Sequence, residues 1–113
     1  MKILIVTLFL LNSLFASYSE LLFNGNCVTC HKVDKSISAP SIKVIQKRYK
    51  DAFTKKEDFV EYMSSWVLKP DSKKSLMQDA IIKYELMPEL GYQKDVLKQI
   101  ALYIYETNFN KKK

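Results

Sequence analysis

The stretch that decides how this chain is read is Cys27-Val28-Thr29-Cys30-His31. It holds both cysteines and the only histidine of the 113-residue sequence. Cys-x-x-Cys-His is the attachment signal for haem c. Each thiol adds across one haem vinyl group to form a thioether, and two intervening residues let one turn of helix present both sulfurs to one porphyrin edge. The next side chain, His31, then meets the iron through a neutral ring nitrogen, with its other N–H held by an acceptor. Other chemistries fit less well. A structural zinc site needs about four Cys or His ligands, and the sequence has three such residues, side by side. A thioredoxin-like dithiol belongs in a βαβ setting, and no alternating β-branched runs are present to build one. A Cys27–Cys30 disulfide is an open alternative in an oxidising compartment, although so small a loop contributes little by chain entropy.

Upstream, Lys2 precedes an apolar run from Ile3 to Phe15, followed by the small residues Ala16, Ser17 and Ser19. This order is that of a secretory signal peptide. Residues 1–19 are read as the signal, cut after Ser19, with Ala16 or Ser17 as alternative cleavage points. Residues 20–113 are read as one small domain. The alternative is an uncleaved membrane anchor, but the apolar run is short for a membrane span of about 20 residues, so cleavage with no stable span afterwards is expected. The expected location is the periplasm. A domain of this size has little core to spare, and a buried cofactor adds apolar surface.

The net charge is +6. Lysine supplies nearly all of the positive charge, and Arg48 is the only arginine. Nucleic-acid readers favour arginine for bidentate contacts, so no nucleic-acid partner is expected. The lysines form a solvated surface that also suits redox protein partners with an acidic docking surface.

Downstream the pattern is helical throughout. Residues from Glu20 to about Asn24 end a first helix, loosened by Gly25 and its flanking asparagines. Pro40 to about Tyr49 form a second. Thr54 and Glu57 read as a capping box opening a third, with Phe59, Met63, Trp66 and Val67 at helical spacing, closed at Lys69-Pro70. Asp71 or Ser72 caps a fourth, carrying Leu76, Met77, Ala80, Ile81 and Tyr84 on one face. Leu86 to Gly91 is a loop, and a last helix runs from about Gln93 to Asn108.

These residues resemble class I cytochromes c, small all-α electron carriers wrapped around one covalently bound haem. The resemblance spans residues 20–113. Cytochromes of the c-prime type are less similar, because they carry the motif near the C-terminus. The resemblance implies that Phe23, four residues before the first cysteine, packs where the first and last helices cross, against Ile100 and Tyr103. It also implies that the carbonyl of Pro40 accepts the N–H of His31; the alternative for Pro40 is the first helical position, which proline favours.

A methionine is the expected sixth ligand, since no second histidine exists and methionine raises the potential. Met63 and Met77 lie on apolar helix faces, where core filling is the ordinary role. Met87, in Leu86-Met87-Pro88, sits in a loop before the last helix, and Pro88 restrains it to extended geometry. The resembling family carries its ligand methionine in such a loop, often beside proline. Met87 is therefore the expected ligand, with Met77 as the alternative and Met63 or no ligand behind it. Partly buried haem propionates need donors. Arg48 and the Trp66 indole N–H are candidates, with Tyr49 and Tyr84 behind them.

The expected cofactor set is thus one haem c on Cys27 and Cys30, with His31 and Met87 on the iron and Pro40, Arg48 and Trp66 around it. The expected function is one-electron transfer, not enzyme catalysis, by a monomer. The alternatives are a haem subunit of a larger periplasmic redox enzyme, such as one oxidising sulfur compounds, and a haem ligand sensor. No paired carboxylates, activated nucleophile or glycine-rich phosphate loop points elsewhere.

Overall fold

The structure is a computed structural model that describes residues 18–111. Residues 1–17, most of the stretch read as a signal peptide, lie outside the described residues.

Helix α1 covers residues 18–26 of the described chain and runs through Gly25, further than the expected end near Asn24. Helix α2, Ile42–Ala52, opens on Ser41, whose Oγ accepts the N–H of Val44 at 3.3 Å. It begins two residues after the expected start at Pro40 and extends past Tyr49.

Helix α3, Lys56–Leu68, starts from Lys55 with no side-chain cap. The Thr54–Glu57 capping box expected from the sequence does not form. The first bond of the helix runs from the N–H of Phe59 to the Lys55 carbonyl, 3.1 Å, so Thr54 stands one residue outside the capping position. Glu57 and Asp58 still lie in the first turn, where the helix dipole favours negative charge.

The expected fourth helix divides. Asp71 caps only a 3-10 turn, Ser72–Lys74, by accepting the Lys73 N–H at 2.9 Å. Ser75 is then extended, and its hydroxyl accepts the Met77 N–H at 3.0 Å. Gln78 reaches back to the carbonyls of Ser72 and Ser75, at 2.8 and 2.9 Å. These local bonds compete with helical ones, so α4 is confined to Gln78–Tyr84. Residues 85–93 are irregular, and α5 is Lys94–Glu106. The described residues are thus all-helical, without strands, and none of the helices is long and apolar enough to cross a membrane.

Helices α3 and α5 form the main pair, with α2 against both. Their buried faces supply Tyr49, Phe59, Met63, Ile100, Ala101 and Ile104, joined by Phe23 from α1 and Ile42 from α2. Phe59 lies tilted at 5.6 Å from Tyr49 and edge-on at 5.0 Å from Tyr105. Phe23 lies 5.0 Å from Tyr103 and 5.6 Å from Phe109, so α1 is anchored on the last helix and the segment after it. Gln46 closes the far end of α5 by donating to the carbonyls of Ile104 and Thr107, each at 2.7 Å. On the exposed side, Glu61 of α3 bridges Lys94 and Lys98 of α5 at 2.6 and 3.3 Å.

Candidate functional site

The Phe23 anchor positions the Cys-x-x-Cys-His turn. The Cys27 N–H continues the helical bonding of α1 to the Phe23 carbonyl, 3.0 Å, and the His31 N–H closes the next turn on the Cys27 carbonyl, 2.8 Å. Cys27 packs on the core cluster, while Cys30 is exposed. Neither sulfur is in a disulfide. Burial pushes the Cys27 thiol up to about 11. That is the opposite of an activated dithiol cysteine, whose pKa is lowered by nearby positive charge. Among the described residues, no group of three or more His, Cys, Asp or Glu could hold a metal ion, so the zinc reading gains nothing.

The His31 ring points into the loop after it. Its Nδ1 lies 2.8 Å from the carbonyl oxygen of Pro40. A carbonyl only accepts, so Nδ1 carries a proton, and in the neutral form of the ring the lone pair is therefore on Nε2. The acceptor is held firmly. The Ile42 N–H bonds the Lys32 carbonyl at 2.9 Å, the Lys43 N–H bonds the Val33 carbonyl at 3.2 Å, and the Ser41 N–H bonds Ser36 Oγ at 2.8 Å. Pro40 precedes the capping residue Ser41, so it does not occupy the first helical position.

The three candidate methionines separate by environment. Met63 belongs to the core cluster. Met77 is buried at the start of α4. Met87 is half-buried in the irregular stretch, between exposed Leu86 and Pro88. Large aliphatics lie uncovered in the same part of the sequence, with Ile82 at 85% and Leu86 and Leu90 each at 43% exposure.

The remaining sequence-named residues have protein partners. Arg48 makes a bidentate pair with Asp79 of α4, at 3.0 and 3.1 Å, and this holds the Asp79 carboxyl below its ordinary value. The single indole N–H of Trp66 donates to the Asp71 carbonyl at 2.9 Å. Tyr49 is buried in the core, and desolvation raises its phenol pKa. Tyr84 is half-buried at the end of α4. Trp66 and Leu86 line one open cleft of about 530 Å³, together with Tyr62, Lys69 and Lys74.

One contact had no signal in the sequence. The Tyr92 hydroxyl meets Asn26 Oδ1 at 2.7 Å, 66 positions apart. It joins the irregular stretch to the residue before Cys27.

Compared with protein-family models, curated proteins and solved structures, the chain matches none.

Proposed function

We propose that this chain binds one haem c covalently through Cys27 and Cys30, as a class I cytochrome c does, and carries single electrons in the periplasm. The observation that carries the reading is the His31–Pro40 contact. It fixes the imidazole tautomer and leaves Nε2 available as an iron ligand, as metal-bound histidines require.

The residues present fit the group. Two unpaired thiols and a histidine with a free Nε2 stand on one continuous turn. Met87 is the half-buried thioether outside the aromatic core. Ile82, Leu86 and Leu90 offer apolar surface beside it in sequence. Haem, when bound, supplies a one-electron iron couple whose potential is set by its axial ligands. The protein's part is to orient His31 through Pro40, to present Met87, and to limit water with apolar side chains. His31 and Met87 would both hold the iron of a bound haem, which would favour outer-sphere electron transfer over ligand sensing. Lysines on a chain of net charge +6 suit an acidic redox partner.

The test is a pyridine haemochrome spectrum of protein exported to the periplasm. The expected result is one haem per chain that resists acid–acetone extraction, lost in the Cys27→Ser, Cys30→Ser double variant. A haem-free or extractable wild type overturns the reading.

A second reading, a haem subunit of a larger redox enzyme, is favoured by exposed aliphatics beyond those near Met87: Leu21 at 69% and Ile37 at 63% exposure. Gel filtration of the native fraction separates the two. Haem eluting only with a large partner supports the subunit, and haem eluting at the monomer size supports the free carrier.

A further inference from the structure

The segment that carries Met87 has an unusual attachment. Residues 85–93 connect α4 to α5 without regular secondary structure. Two positions adopt the left-handed region, Glu85 at φ 70° and Gly91 at φ 76°. From 85 to 92, Met87 and Tyr92 are turned partly inward, and every other residue is exposed. Among the described residues, the segment 86–92 makes a single hydrogen bond, from Tyr92 Oη to Asn26 Oδ1 at 2.7 Å. A stretch with exposed backbone and so few bonds belongs to the easily opened part of a fold.

The chemistry of that bond is fully assigned. Asn26 Nδ2 donates to the Leu22 carbonyl at 2.7 Å. A carbonyl accepts only, so the amide nitrogen must face Leu22 and the amide oxygen must face Tyr92, whose phenol donates. Asn26 is thereby locked onto the last turn of α1, directly before Cys27. Tyr92 is in turn two residues from the start of α5. The bond therefore spans the two pieces of chain that would hold opposite faces of the haem.

We infer that Tyr92 is a positioning residue: through Asn26 it ties the 86–92 segment to the attachment turn and keeps Met87 on the iron. This rests on the haem ligation proposed above. Without the tether, the segment opens more often, and an outside ligand captures the sixth position more readily.

The experiment uses ferric holoprotein purified from the periplasm, with its haem first established by pyridine haemochrome. Imidazole is titrated against the visible spectrum of wild type, Tyr92→Phe, Asn26→Ala and the double variant. Tyr92→Phe is expected to bind imidazole about fivefold more tightly, the equivalent of one ordinary hydrogen bond in the closed segment. Asn26→Ala, which also removes the bond to Leu22, should have at least the same effect, and the double variant should add little to Asn26→Ala alone, since the Tyr92–Asn26 bond is common to both. In a Met87→Ala background, Tyr92→Phe should change imidazole affinity by less than about a factor of two.

Three outcomes overturn the inference. One is an unchanged imidazole affinity in both Tyr92→Phe and Asn26→Ala, even where their melting temperature falls. Another is a Tyr92→Phe effect that persists undiminished without Met87. The third is a haem-free wild type, which also overturns the proposed function and is recognised at the haemochrome step, before any titration. If one variant fails to fold, the other carries the test.

Discussion

The imidazole of His31 is oriented by the carbonyl of Pro40, nine positions later in the chain and 2.8 Å from Nδ1. A loop folded back by three further hydrogen bonds holds that acceptor in place. In metal-bound histidines a bond of this kind makes the ring a stronger donor to the metal. Pro40→Ala keeps the carbonyl but frees its backbone. If haem is bound as proposed, it should stay attached, because the thioethers would not depend on this bond. The reduction potential should rise, since a weaker imidazole donor stabilises ferric iron less. Loss of a whole hydrogen bond, about 1 kcal/mol, corresponds to roughly 40 mV at 59 mV per tenfold, which sets the upper size of the shift. A redox titration reads it.

Met87 is the thioether that neither the aromatic core nor α4 has absorbed. If Met87 ligates the proposed haem, Met87→Ala should abolish the iron–sulfur charge-transfer band of the ferric protein and lower its potential. Met63→Ala should leave the band intact and instead destabilise the fold by about 2–5 kcal/mol, as a core truncation does. Visible spectra and urea unfolding of the two variants separate the roles.

Phe23 is 1% exposed and touches both Tyr103 and Phe109. Phe23→Ala should cost about 3–5 kcal/mol of stability by urea unfolding. The loss falls on the turn bearing Cys27, whose N–H bonds the Phe23 carbonyl. Phe23→Leu should recover much of the stability, since it fills most of the cavity.

Glu61 is held at about 2, chiefly by the Lys94 ammonium, with Ser65 and Lys98 adding to it. Its folded value lies below that of the unfolded chain, about 4.3. The stabilisation is therefore present above that unfolded value and is lost as pH falls toward 2. Glu61→Gln should be less stable than wild type at neutral pH, and the two should converge near pH 2. The pair is exposed, so the neutral-pH difference should shrink in 1 M salt. Thermal melts across that pH range check the sign.

What the sequence determined by itself was local. Helical periodicity set the all-α class, because apolar positions recurring every three to four residues leave no other way to bury a common face. Cys27, Cys30 and His31 could be singled out from spacing alone, because residues within one turn are placed by their separation in sequence. Capping was less legible. Thr54 and Glu57 have the right spacing for a capping box, yet the helix starts from Lys55. Asp71 caps a short 3-10 turn because Ser75 and Gln78 side chains claim the backbone beyond it. Only the tertiary structure decided the partners. It gave the Trp66 N–H to Asp71 and the Arg48 fork to Asp79, and it brought Tyr92 to Asn26 across 66 positions. A donor's type can be read from its letter, but its acceptor depends on where distant backbone comes to lie. That is fixed by the packing of α1, α2 and α3 around α5, and no local pattern encodes it.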